Sequence, residues 1–518
     1  MEATRHNAKY ITLTFALFVL SVYLTSVYLI PKKFNSPNQE EVMNVYYPPF
    51  PPHGLPLKAF ITSAYYYPHS KSLGNYSFAL VMSINLGRTK KNFLDLQEGG
   101  ALDETEIVVM AVNSTNKIVA RAQYERITPH DHCQMISVFA TMQLLPNLHS
   151  IYMMSGEYRT LIPHKVVPSH QKRDVIVCIS PIYVSEQWQN FLLAVHIYKH
   201  FGAFMHIYFI SAISAFFQLL REYEKSGYLT IQPWDRVIFP FVPGVIADPY
   251  SQMEFSNTAA AQTDCILQYK ESSKFVALFE LNDILIPILA PTFAGEFQAL
   301  IRNNSNIVHL TYPRQNFGAT FFNETETTFE GLANNLKDLG TQQRFGKIVL
   351  DPQLINYTWI DRPPYLKNGE ELEVTENYIT HLQNVVWNYN ETEKAPILFN
   401  STIDASDYMN PVIWHIEKDF RRMSRKETIQ EIMPNLPRFF HFYGLMKQCF
   451  EEKYYRLLNT KHRRSQCPGP QICGFYQHPD LHCVHVNGAH MYMPGVYPIT
   501  YHYATDFSYT SDIGCYPH

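Results

Sequence analysis

The stretch Lys274 to Pro287, KFVALFELNDILIP, joins an apolar run to a group of oxygen-bearing side chains. Phe275, Val276, Ala277, Leu278 and Phe279 read as a strand buried on both faces, which suits an interior parallel strand. Glu280, Asn282 and Asp283 follow within the next four positions. Ligands collect at the carboxyl ends of such strands in open α/β sheets. Oxygen-only donors grouped there suit a hard divalent cation such as Mg²⁺ or Mn²⁺, and such a cation suits a diphosphate. The plain alternative is an ordinary strand followed by a polar turn, so the surrounding elements have to decide.

Those elements alternate. Val175 to Ile179 reads as a buried strand, and Trp188 to His200 as a helix with Phe191, Val195 and Tyr198 on one face and Gly202 as its stop. His206 to Ile210 is a second strand. Phe216, Leu219, Leu220 and Tyr223 then recur at helical spacing up to Gly227. Tyr228 to Gln232, Asn257 to Tyr269 and Lys274 to Phe279 continue as strand, helix and strand. Strands alternating with helices predict an α/β domain, a Rossmann-like and mostly parallel sheet with right-handed crossovers. Upstream, short strand-like runs such as Phe78 to Met82 and Ile107 to Met110 predict a small β-rich domain.

The whole chain has 518 residues, which is more than one core can organise, so two or three domains are expected. Its 46% hydrophobic and 17% charged content describes a folded protein, and a net charge of -4 gives no electrostatic case for nucleic acid. The basic cluster Lys461 to Arg464 reads as a solvated loop. Tyr10 to Ile30 carries no charge and is long enough to cross a bilayer, with no small-residue cleavage site at its end. The expected order is therefore a cytosolic tail (1–9), a transmembrane signal-anchor (10–30) and a Pro-rich stem (31–56). A β-rich domain (57–170), the α/β domain (171–430) and a Cys-rich extension (431–518) follow. N-x-S/T sequons at Asn75, Asn113, Asn303, Asn323, Asn356, Asn390 and Asn400 agree with a lumenal C-terminal part, hence a single-pass type II membrane protein.

The eight cysteines fit an oxidising lumen, with Cys449, Cys467, Cys473, Cys483 and Cys515 crowded near the end and expected to pair for the most part. Cys178 and Cys265 lie in apolar elements. A zinc site from Cys467, Cys473, His482, Cys483 or His485 is the competing reading, although the spacings match no standard zinc module.

With these elements in place, the chain resembles glycosyltransferase family 92. DVIVCISP (174–181), the Glu186-Gln187-Trp188 block with its helix to Ala203, and LREYEKSGYLTIQPW (220–234) carry the resemblance. So do AAAQTDCILQY (259–269) and FELNDILIP (279–287), and the match runs from Asp174 to about Arg421. The resemblance implies an A-type glycosyltransferase fold, Golgi residence, and inverting, metal-dependent transfer of galactose from UDP-galactose to a glycan. The implied cofactor is Mn²⁺, the donor a UDP-sugar, and the acceptor a glycan or glycoprotein. The family pattern is Asp-x-Asp followed by an acidic residue, and here Glu280, Asn282 and Asp283 occupy those positions. Asn282 keeps a carbonyl oxygen and loses a charge, which weakens a hard-cation site. A catalytically silent lumenal homologue that binds glycans or a partner enzyme is thus the rival reading, and a cell-surface adhesion protein is a third.

The remaining site residues follow from the implied chemistry. Inverting transfer needs a carboxylate base late in the chain, for which Asp404, Asp407, Glu417 and Asp419 are candidates without ranking. Glu280, Asn282 and Asp283 would hold the metal. His415 is the first choice for a completing His and His441 the second, against a structural role for either. Asp264 would bind the uridine end or support the site, or else face solvent. Lys347, in a Gly-Lys strand like the family's, would meet a phosphate or sit at the surface. Trp359, Trp387 and Trp414 could stack on sugar rings, or belong to the core.

Overall fold

The computed structural model describes residues 57–85, 106–129, 133–156, 158–168, 170–239, 249–322, 328–334, 336–360, 369–388, 406–437, 440–456, 467–474, 477–492 and 499–515. The tail, anchor and stem expected in residues 1–56 lie outside them. Among the described residues no helix is long and apolar enough to cross a membrane. All described residues fall in one compact unit, Pro48–His518.

At its centre is a mixed seven-stranded sheet in the order Leu229–Pro233, Ala203–Phe209, Arg173–Ile182, Ser273–Phe279, Lys347–Leu350, Ile307–Tyr312, Glu370–Glu373. The first four strands run parallel to one another. Lys347–Leu350 is antiparallel to both of its neighbours, and Ile307–Tyr312 and Glu370–Glu373 beyond it are paired in parallel, so it is the one reversed strand of an otherwise parallel sheet. Side chains alternate across Arg173–Ile182. Val175, Val177 and Ile179 pack into a core with Phe191 and Val195 of the helix Trp188–His200 and Phe216 and Leu220 of Ser214–Lys225. Ile176 and Cys178 face the helix Thr258–Tyr269 on the other side. Helices thus cover both faces, as the alternating pattern predicts.

Thr258–Tyr269 is buried along its whole length. Its outer face lies beneath a second, eight-stranded sheet, and both share a core containing Phe60, Tyr65, Ala79, Ala260 and Cys265. That sheet joins the beginning of the described chain to its end. Leu57–Tyr67 pairs with Ser77–Asn85 on one side and, in parallel, with Ile499–Ile513 on the other. The segments 57–170 and 431–518, read separately in the sequence, therefore contribute strands to one sheet.

A four-stranded sheet orders Asp283–Leu285, Ile379–Asn388, Arg314–Phe322 and Leu336–Gln342. It sits directly after the strand Ser273–Phe279 in the chain and builds the site described below. Disulfides join Cys133 to Cys467, Cys178 to Cys265, Cys449 to Cys473 and Cys483 to Cys515, and no cysteine is free. This removes the zinc reading of the tail, because Cys467, Cys473 and Cys483 are bonded to other sulfurs. His485 Nε2 meets Asp512 Oδ1 at 2.7 Å instead.

Candidate active site

The strand Ser273–Phe279 ends in a tight turn. The Asp283 amide donates to the Glu280 carbonyl at 3.1 Å, and the Glu280 amide donates to Asp283 Oδ2 at 3.0 Å. The turn brings Glu280 and Asp283 together although they are three positions apart. Asp283 then opens the short strand that pairs antiparallel with Ile379–Asn388, and the register sets His381 opposite Asp283. His381 Nδ1 lies 2.8 Å from Asp283 Oδ1. A carboxylate only accepts, so Nδ1 carries the hydrogen and Nε2 is the ring atom left to face a metal, the arrangement that orients a histidine toward an ion.

Two cations complete the cluster. Lys347 Nζ, buried, stands 2.7 Å from Glu280 Oε1. Arg314 is anchored by its Nε on the Phe345 carbonyl at 2.9 Å and lies 3.7 Å from Glu280 and 3.8 Å from Asp283. Burial pushes both carboxyls up, but the surrounding cations outweigh it. Lys347 and Arg314 hold Glu280 below the usual carboxylate range. Arg314 and His381 hold Asp283 well below it. Both acids are therefore ionised at neutral pH.

The ligand atoms of Glu280, Asp283 and His381 lie within 4.8 Å of one another. Two ionised carboxylates and an imidazole fit a divalent cation of the Mn²⁺ type. Asp283 already holds His381 and the Glu280 amide, so it serves as the support, while Glu280 and His381 have atoms to offer an ion. Asn282 is buried, and its Nδ2 donates to the Leu382 carbonyl at 3.2 Å. That bond turns the nitrogen toward Leu382 and leaves Oδ1 as the end that could ligate.

Several expected site residues lie elsewhere. His415 stacks on His200, ring centroids 6.2 Å apart, at the C-terminal end of the helix Trp188–His200. That helix runs back from the carboxyl edge of the sheet, so the structure does not bring His415 to the turn, and His381 stands in its place. His441 lies against His478, its ring pushed below its ordinary pKa by burial and by His478. Asp264 is buried and accepts from Tyr65 at 2.7 Å and Tyr208 at 2.5 Å, tying its helix to two strands away from the turn. Lys347 does reach the turn, through Glu280.

Of the candidate bases, Asp419 takes a hydrogen bond from buried His196 at 2.9 Å and from Tyr228 at 2.9 Å. Burial pushes its carboxyl up, but His196 outweighs that and holds it well below the ordinary range, as befits a structural ion. Glu417 pairs with Arg421 at 2.6 Å one helical turn on. Asp404 lies outside the described residues, and Asp407 is placed only as a residue of the helix Ser406–Ser424. Trp359 is tied to Glu254 at 2.8 Å and Trp414 is 58% exposed beneath Lys418, while Trp387 is described only as part of its strand. Among the sequons, Asn75 and Asn303 are exposed and Asn356 is half-buried. Half-buried Asn113 donates its amide to the Pro146 carbonyl at 2.9 Å. Asn323, Asn390 and Asn400 lie outside the described residues.

Comparison with known proteins agrees with the geometry. The profile of glycosyltransferase family 92 matches residues 173–424. A family 92 glycosyltransferase protein of Caenorhabditis elegans is 43% identical over 90% of this chain and 92% of its own. This chain belongs to glycosyltransferase family 92. A second family 92 protein of the same nematode is 32% identical over 96% of this chain and 97% of its own. Among solved structures, S. aureus TarS in complex with UDP-GlcNAc is 11% identical, covering 55% of this chain and 79% of that one. Its TM-score is 0.23, a likeness that carries no argument. Membership of the family makes the chain a glycosyltransferase and places the Glu280 turn and the His381 strand inside the matched region.

Sequence reasoning missed His381 and Arg314. The local signal for His381 is slight, an imidazole in the strand-like stretch ITHLQNVVW (379–387). Nothing local points it at Asp283.

Proposed function

We propose that this family 92 glycosyltransferase transfers a hexose, galactose from UDP-galactose, to a glycan acceptor with inversion and with Mn²⁺ at the Glu280 turn. The observation that carries the reading is the cluster of Glu280, Asp283 and His381 at the carboxyl end of a parallel strand, flanked by Lys347 and Arg314. Glu280 and His381 would hold the ion, with Asn282 Oδ1 beside them. When bound, the ion offsets charge on the leaving diphosphate. Asp283 fixes the tautomer and direction of His381, and Arg314 and Lys347 keep both acids ionised. The two cations also lower the negative charge of the turn, so that an anionic diphosphate meets little repulsion there.

The lumenal setting and type II topology of this reading are supported by the four disulfides and the exposed sequons at Asn75 and Asn303. The fold is read as an A-type glycosyltransferase fold on the strength of its four parallel strands and the ligand turn after the fourth. Assay of the full chain with Mn²⁺ and a panel of UDP-sugars against fucosylated N-glycans tests the proposal. Galactose transfer that stops on chelation is the expected result. Absence of turnover with every donor, together with no thermal shift by UDP and Mn²⁺, overturns it in favour of the silent homologue. A tagged chain is expected in the Golgi, and plasma-membrane staining would contradict that location.

A further inference from the structure

The helix Phe442–Phe450 lies beyond residues 173–424 that the family profile matches, yet it is fastened to the catalytic edge. Glu186, in the connection between the strand Arg173–Ile182 and the helix Trp188–His200, accepts three backbone N–H groups. They belong to His441 at 2.8 Å, Phe442 at 2.8 Å and Tyr443 at 3.1 Å. The first amides of a helix have no partner within it, and a carboxylate there also meets the positive end of the helix dipole. Trp188 Nε1 adds a bond to the Pro437 carbonyl at 2.9 Å, and the Cys449–Cys473 disulfide holds the far end of the helix.

The opposite side of this fastening reaches the candidate site. Tyr443 donates its hydroxyl to the carbonyls of Leu382 at 3.3 Å and Gln383 at 3.4 Å. The Leu382 carbonyl also receives the Asn282 amide at 3.2 Å, and the Leu382 N–H donates back to the Asn282 carbonyl at 2.8 Å. Lys447, one turn on, caps the Gln383 carbonyl at 3.2 Å. Burial, followed by the nearby Glu280 charge, pushes the Tyr443 hydroxyl up to about 12, so it stays protonated and remains a donor.

We infer that Tyr443 is a positioning residue for donor binding: held in place by Glu186, it fixes the Leu382 carbonyl and through it the amide of Asn282 and the adjoining His381. The C-terminal extension is then part of the donor site. The inference rests on the reading of the Glu280 turn as the diphosphate site.

The test uses the full chain and its Tyr443→Phe and Glu186→Gln variants, with UDP and Mn²⁺ titrated separately by calorimetry and donor kinetics measured alongside. Tyr443→Phe removes only the hydroxyl. The expected result is about tenfold weaker UDP and Mn²⁺ binding and a raised donor KM with kcat nearly unchanged, the mark of lost uniform binding. Glu186→Gln should give the same trend, and Lys447→Ala a smaller one. A merely structural role would lower the melting temperature and the active fraction while leaving donor KM and both affinities alone, and that outcome overturns the inference. Wild-type protein that binds Mn²⁺ but not UDP overturns the donor reading and with it the donor role of Tyr443, whereas wild-type protein that binds both while Tyr443→Phe matches it overturns the role of Tyr443 alone. Wild-type protein that binds neither overturns both.

Discussion

Lys347 Nζ sits 2.7 Å from Glu280 Oε1 and joins the reversed strand Lys347–Leu350 to the turn that ends the neighbouring strand Ser273–Phe279. The pair is asymmetric: the lysine side chain is 1% exposed, whereas the glutamate side chain is 42% exposed. A buried ammonium depends on its carboxylate, and the carboxylate can still reach a ligand.

Replacing Lys347 by Met should therefore affect binding more than folding. Loss of a fully buried pair costs about 3–5 kcal/mol. With one partner open to water, about 2 kcal/mol is expected here. Loss of the cation should also raise the Glu280 carboxyl toward its ordinary range. Urea unfolding and UDP titration of Lys347→Met check both effects; unchanged UDP affinity would show that the lysine only supports the strand.

His381 and His415 make a matched pair of variants. His381→Ala should abolish Mn²⁺ binding measured by electron paramagnetic resonance, whereas His415→Ala should leave it within about twofold. The contrast follows from the 2.8 Å contact of His381 with Asp283 and the stacking of His415 on His200. Equal loss in the two variants would contradict the ligand set.

Asn282→Asp restores the family's acidic residue, but not without cost. The new carboxylate would face the Leu382 carbonyl, to which Asn282 now donates. Without metal the variant should lose about 1–3 kcal/mol, the penalty of a buried polar group that has lost its partner. With Mn²⁺ present the loss should be recovered and metal affinity should exceed that of the wild type. Melting curves with and without Mn²⁺ read both, and a variant as stable as wild type in chelator argues against the Leu382 bond.

The pH dependence of stability has two limbs. Burial outweighs the three backbone donors and raises the Glu186 carboxyl from 4.5 to about 7. The folded chain then binds more protons than the unfolded chain between these values, so this group's contribution falls as pH rises from about 4.5 through 7. Asp283 and Asp419 are depressed, so their contributions are present above the ordinary carboxylate range and fade as pH falls below it. Glu186→Gln should flatten the melting temperature between pH 5 and 7 and leave the acid limb intact. A profile identical to that of the wild type would show that Glu186 does not titrate there.

The Cys178–Cys265 disulfide crosses from the central sheet to the helix behind it, closing a separation of 87 residues. Replacing both cysteines by Ala should cost about 2–4 kcal/mol. Urea midpoints of the double variant check this.

The sequence by itself determined the strand Ser273–Phe279, the acidic turn at its end and the alternation of strands and helices around it. Each of these is a local pattern: an apolar run of strand length, oxygen-bearing side chains next to it, and helical spacing between glycine stops. The family blocks add order and spacing, which are also properties of the chain alone. His415 illustrates the limit. An apolar run precedes it, yet its helix carries it to the far end of Trp188–His200.

Tertiary structure decided which residues complete the site. His381 meets Asp283 across 98 positions, and Glu186 meets Tyr443 across 257. Both contacts depend on pairing and docking between distant segments. A one-residue slip in strand register would turn His381 to the opposite face, and no local pattern records that register. The chain's own chemistry therefore announces a ligand turn, while long-range packing supplies the imidazole, the guanidinium and the C-terminal helix that surround it.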